Sequence, residues 1–130
     1  MMSDFPKGLL YNTDFSWIKI ENNIAEIGVM EPAAKKVNEF VFIQLPDKGK
    51  TVKKGEDIIA LEAMKWSGHL SSPFSGKVID VNEELFDEPS KINEDPYKEW
   101  IVKIEIEDID EKKDLMDSIE IEEWASENIN

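Results

Sequence analysis

The chain contains no cysteine. Disulfides, thiolate nucleophiles and cysteine metal sites are excluded together, so any sulfur redox chemistry has to come from an attached group. Histidine occurs once, at His69, which leaves an imidazole-based transition-metal centre without its ligands. No apolar run approaches the roughly 20 residues of a membrane-spanning helix. The opening Met1-Met2-Ser3-Asp4-Phe5-Pro6 has neither the basic start nor the apolar stretch of a signal peptide. A cytoplasmic protein without a membrane partner is the expectation. Basic residues are scarce beside acids, 15 against 29, and the net charge is -14. No basic stripe offsets that charge, so nucleic-acid phosphates would be repelled, whereas basic protein surfaces would be attracted. No nucleophile with a companion base is visible, and catalysis by the chain alone is not expected.

What is present is enough apolar material for a core. Hydrophobic residues make up 41% of the 130 positions, which fits one globular domain despite the 34% that are charged. The pattern is mostly one of short strands. Trp17 to Glu21 and Ile24 to Val29 alternate around the turn pair Asn22-Asn23, which predicts a hairpin. Glu31 to Val37, with Pro32 near its start, predicts one short helix. Phe40 to Leu45 is β-branched and aromatic and stops at Pro46. After a turn at Lys53 to Glu56, Asp57 to Met64 reads as the strand that delivers Lys65, and Ser67-Gly68 as the turn that reverses the chain. Lys77 to Val81 and Trp100 to Ile106 are further strands, separated by an acidic loop or irregular helix from Asn82 to Asp95. Leu115, Ile119 and Trp124 recur at near-helical spacing and predict one or two terminal helices.

Lys65 stands in Glu62-Ala63-Met64-Lys65-Trp66, between two comparable turn segments, Pro46 to Gly49 and Pro73 to Gly76. Each leads into a lysine and a valine-bearing run, Lys48-Gly49-Lys50-Thr51-Val52 and Ser75-Gly76-Lys77-Val78. Two like halves meeting at one displayed lysine is a pattern in which the lysine carries a group.

Taken in order, these segments resemble the glycine cleavage system H protein family, lipoyl carriers of the biotinyl/lipoyl hammerhead fold. The resemblance runs from about Tyr11 to Ile106 and more loosely into the terminal helix. It rests on Tyr11 to Trp17, Ala25-Glu26-Ile27-Gly28, Phe40 to Pro46, Val52 to Glu56, the Ser72-Pro73-Phe74-Ser75-Gly76 segment and Asn93-Glu94-Asp95-Pro96-Tyr97. It implies a mainly β fold, a flattened sandwich of two small sheets with one short internal helix and C-terminal helices. The implied organisation is an N-terminal arm over 1–10, the lipoyl-carrier domain over 11–107 and a helical extension over 108–130 packed on it.

The resemblance further implies that Lys65 takes lipoate in amide linkage, with Glu62 at the family's acidic position three residues earlier. Acylation would remove the lysine's charge and leave a flexible tether that raises the effective concentration of its dithiolane at each docked partner. The implied partners are a lipoate-protein ligase or lipoyl transferase, glycine decarboxylase, aminomethyltransferase and dihydrolipoamide dehydrogenase, served by a monomeric carrier that shuttles an aminomethyl group. Ala63-Met64-Lys65 is also the centre of the biotin-carrier pattern, with Trp66 where that pattern has a second methionine. A biotin carrier and an unmodified interaction domain are therefore the readings outside the lipoyl class.

Two departures bear on the pathway. Where the family reads His-Glu-Trp this chain has Phe15-Ser16-Trp17, and where it carries aspartate four residues after the modified lysine this chain has His69. In the family those acids line the resting site of an amine-loaded arm, so Ser16 and His69 would weaken its charge complement. This opens a second lipoyl reading, an H-like lipoate-binding protein of sulfur oxidation that serves a heterodisulfide-reductase-like complex. Trp66 reads as a lid for the arm, a docking anchor or a packing residue; His69 reads as a responder to the dithiolane or a polar strand residue.

Overall fold

A computed structural model describes residues 4–129. Positions 1–3 of the expected arm and position 130 of the expected extension lie outside the described residues. The strands are β1 (Leu10–Tyr11), β2 (Ser16–Glu21), β3 (Ile24–Val29), β4 (Phe40–Gln44), β5 (Thr51–Val52), β6 (Asp57–Ala63), β7 (Trp66–Ser71), β8 (Gly76–Val81) and β9 (Val102–Ile106). They form two antiparallel sheets, one in the order β1-β2-β3-β9-β8-β5 and one in the order β4-β6-β7. The mainly β sandwich expected from the sequence is thus present.

The predicted hairpin is β2–β3, with Glu21 opposite Ile24. Asn22 and Asn23 both take left-handed backbone, φ 48° and 64°, as a two-residue primed turn requires and as asparagine tolerates. The helix α1 (Glu31–Lys36) follows with proline in its first turn. The acidic segment resolves into two single-turn helices, α2 (Glu84–Asp87) and α3 (Lys91–Glu94). Inside α3, Asn93 accepts from the Phe40 N–H at 2.9 Å and donates to the carbonyls of Ala34 and Asn38 at 3.0 and 2.7 Å. One amide thereby fixes the end of α1 to the start of β4.

The chain reversal at Lys65 differs from the sequence expectation. The turn is Met64-Lys65 itself, with Ala63 opposite Trp66, and Ser67 and Gly68 lie inside β7. Gly68 is a strand residue because the Trp66 indole lies where its Cβ would project, so the glycine is a bed for the ring and not a turn former. The same device holds the other sheet: the Trp17 indole covers Gly28, its cross-strand partner, and donates to the Pro96 carbonyl at 2.9 Å. Neither Met64 nor Lys65 has positive φ, which excludes the primed turns and leaves one of type I character.

The two comparable turn segments pair with each other. Thr51 lies opposite Lys77 and Val52 opposite Gly76, and the Gly49 N–H donates to the Val78 carbonyl at 2.7 Å. Clamped at this base, the β6–β7 hairpin projects Lys65 at its tip.

Between the sheets sits the main core, including Ile18, Ile27, Ile43, Leu61, Leu70, Val78 and Ile104. A second cluster joins Phe5, Tyr11, Trp17 and Met30 to Ile121 and Ala125 of α4 (Ser118–Asn128). A 3₁₀ helix, Ile109–Asp114, leads to α4, whose first turn is capped by Asp117, accepting from the Ile119 and Glu120 N–H groups while Glu120 accepts from the Asp117 N–H. No helix among the described residues is long and apolar enough to cross a membrane.

The N-terminal segment is held by two phenols. Tyr11 donates to the Pro6 carbonyl at 2.6 Å, and Tyr97 donates to the Asp4 carbonyl while accepting from the Glu31 N–H. Burial, with a smaller contribution from neighbouring groups, raises both phenols well above the usual tyrosine range. Folded protein therefore keeps these protons where the unfolded chain releases them, so their contribution is complete below pH about 10 and declines as pH rises. Thermal unfolding between pH 8 and 11 should show this decline, and Tyr11→Phe with Tyr97→Phe should flatten it. An equally steep decline in the double variant would refute the assignment.

Candidate functional site

Lys65 is exposed at the apex of the β6–β7 hairpin, beside Met64, which is 86% exposed. Its position follows from register: Phe40, Ala63 and Trp66 pair in one row at the end of the three-stranded sheet, so the next two residues can only form the loop. The rings of Phe40 and Trp66 meet at 6.1 Å, inclined by 62°, and buttress the apex from below.

A groove of about 770 Å³ opens beside the lysine. Val29, Ala33, Val37, Phe40, Leu61, Trp66 and Leu70 give it an apolar wall, while Lys65 and Met64 stand on its rim side and Ile129 contributes from beyond the end of α4. Asp14, Lys36 and Glu39 are its charged members besides Lys65. An apolar acyl chain with a dithiolane fits such a lining, since its burial needs no polar partners.

Of the residues singled out in the sequence, Lys65 and Trp66 line this groove. Ser16 is fully buried and donates from Oγ to Asp14 at 2.5 Å. Glu62 and His69 are exposed on the opposite face of the three-stranded sheet, where strand alternation sends them: Leu61, Ala63, Trp66 and Leu70 point inward, Glu62 and His69 outward. His69 borders a second, more polar hollow of about 460 Å³ that includes Asp47, Lys50 and Asp57.

Asp14 is the site residue that the sequence reading missed. One carboxylate oxygen accepts from the Ser16 N–H and Oγ at 3.1 and 2.5 Å, and the other from the Ser71 N–H and Oγ at 2.8 and 3.0 Å. It therefore ties the loop before β2 to the far end of β7. The signal lay in Asp14-Phe15-Ser16, since aspartate often accepts from the N–H two residues on. Between these anchors Phe15 adopts φ 75°, unusual for a bulky residue; its carbonyl accepts from the Met30 N–H at 2.9 Å and its ring lies 5.8 Å from that of Trp124. The ring is thereby held in the groove wall.

A lysine at a hairpin apex beside an apolar groove is matched by what the whole chain resembles. The family model described as glycine cleavage H-protein matches residues 9–128. The chain belongs to this family. A glycine cleavage system H protein of Staphylococcus epidermidis is 38% identical over 123 residues, covering 94% of this chain and 98% of that one. That of Carboxydothermus hydrogenoformans is 39% identical over 127 residues, covering 97% and 98%. Among solved structures, a glycine cleavage system H protein from Mycobacterium marinum superposes with a TM-score of 0.82 at 28% identity, covering 95% of this chain and 98% of that one. Glycine cleavage H-proteins carry lipoate covalently on a lysine and act as carriers, not catalysts.

Proposed function

We propose that Lys65 is the lysine that bears the lipoyl group, and that this H-protein shuttles an aminomethyl cargo between partner enzymes on an arm swinging from the β6–β7 apex. The observation that carries the reading is the exposed apex lysine beside an apolar groove. When bound, the lipoyl group supplies a disulfide that can be reduced, loaded and reoxidised. The chain's own residues do the rest. Trp66, Phe40, Leu61 and Val29 offer apolar contact, and Asp14 and Glu39 supply negative charge at the groove. Although Ser16 and His69 replace the acids expected from the resemblance, the groove retains carboxylates from other positions, which favours a cationic amine as cargo.

The proposed partners are a lipoate-protein ligase or lipoyl transferase, then glycine decarboxylase, aminomethyltransferase and dihydrolipoamide dehydrogenase, in the cytoplasm and with a monomeric carrier. Intact-mass measurement after incubation with lipoate and a lipoate-protein ligase should show one added lipoyl group, and glycine decarboxylase should then load the product in a glycine-dependent reaction. A biotin-sized shift or no shift would overturn the attachment. A lipoylated protein refused by glycine decarboxylase but used by a heterodisulfide-reductase-like complex would overturn the pathway.

A further inference from the structure

We infer that the outer face of the three-stranded sheet is a docking surface for a partner enzyme that presents an apolar socket rimmed by lysine or arginine. This rests on the reading of Lys65 as the attachment point. One face of β4-β6-β7 is buried through Phe40, Ile43, Leu61 and Leu70. The opposite face is open. Register sets Phe42 beside Glu62 and Glu62 beside Ser67 in one row, with Gln44, Ala60 and His69 in the next. Phe42 is 43% exposed there, and Val41, at the irregularity between Phe40 and Phe42, is 52% exposed. With Met64 at the apex, these side chains place an apolar strip beside the lysine that partner enzymes must reach.

Charge identifies the occupant. The three strands contain Asp57 and Glu62 and no lysine or arginine, and Glu39 stands exposed just before β4. Acylation of Lys65 would remove the nearest positive charge, so the loaded carrier presents apolar side chains bordered by carboxylates alone on these strands. A complementary surface has an apolar centre and a cationic rim. The sheet also suits docking because it carries the arm's root: a partner seated on it holds the apex at a fixed distance from its own active site.

The test uses lipoylated protein, verified by intact mass, with glycine decarboxylase as the probe. Phe42→Ser should raise the KM for the carrier about tenfold while kcat changes less than about twofold, as expected for a docking anchor. Val41→Ser should act in the same direction, and the KM of the unaltered carrier should rise with salt. Ile119→Ser removes an apolar side chain that is 70% exposed on α4, away from this sheet, and should leave KM unchanged. A KM for Phe42→Ser within about twofold of the unaltered carrier, or an equal rise for Ile119→Ser, would overturn the docking surface. An unaltered protein that takes no lipoyl mass would overturn the attachment reading and this inference with it.

Discussion

Lys65→Arg is expected to fold as the unaltered protein does and to take no lipoyl group. The side chain is exposed at a hairpin apex, where substitutions that keep the charge change stability by less than about 0.5 kcal/mol. Amide formation, however, needs a neutral nitrogen nucleophile. Lysines in general are neutral in about one molecule in a thousand at pH 7, whereas arginines are neutral in fewer than about one in 10⁵. The guanidinium also delocalises the lone pair that would attack. Attachment should fall by at least about a hundredfold from the population of neutral base alone, and glycine-dependent loading should fall to background. Intact mass and a loading assay read both effects. A lipoyl mass on the arginine variant would assign the modification to another lysine and remove the basis of the proposed function.

Asp14→Ala should produce the largest loss of stability among substitutions at the groove. Its carboxylate accepts four hydrogen bonds, two from Ser16 and two from Ser71. Ser16 is fully buried, so removal of the acceptor leaves its N–H and hydroxyl without the charged partner and without easy access to water. Hydrogen bonds to charged groups contribute about 1.5–3 kcal/mol, and the shared geometry makes their sum less than additive. The expected loss is about 3 kcal/mol, or about 10 °C in Tm for a domain of this size. Freed from the anchor, Phe15 should relax from its left-handed backbone and withdraw from the groove wall. Urea unfolding measures the first effect, and weaker near-ultraviolet circular dichroism from the Phe15–Trp124 contact reports the second. A loss below about 1 kcal/mol would show that water replaces the carboxylate and that the anchor is dispensable.

Much of this architecture was legible because the relevant signals are local. Alternation from Trp17 to Val29 around Asn22-Asn23 specifies a hairpin whose turn needs two left-handed residues, and asparagine meets that need. The position of Pro32 likewise marks the start of α1. Two features misled in the same way. Ser67-Gly68 has the composition of a turn, yet Gly68 is needed as the flat bed for Trp66, a requirement set by a neighbouring ring. Ser16 and His69 were grouped as one charge position through the resemblance, yet Ser16 is buried against Asp14 and His69 faces away from the groove. Asp14 escaped notice because half of its hydrogen bonds go to Ser71, 57 residues later.

By itself the sequence determined the chain's class: no sulfur chemistry of its own, strong negative charge, short alternating strands and one lysine set between matching turn segments. These properties follow from residue identity and short-range periodicity, which act wherever the chain goes. Tertiary structure alone decided that the matching segments pair with each other, that Met64 and Lys65 form the apex, and that Asp14 and Glu39 reach the groove while Glu62 and His69 do not. Those outcomes depend on register and on which face of a sheet is buried, and a shift of one residue would exchange every side chain between groove and solvent.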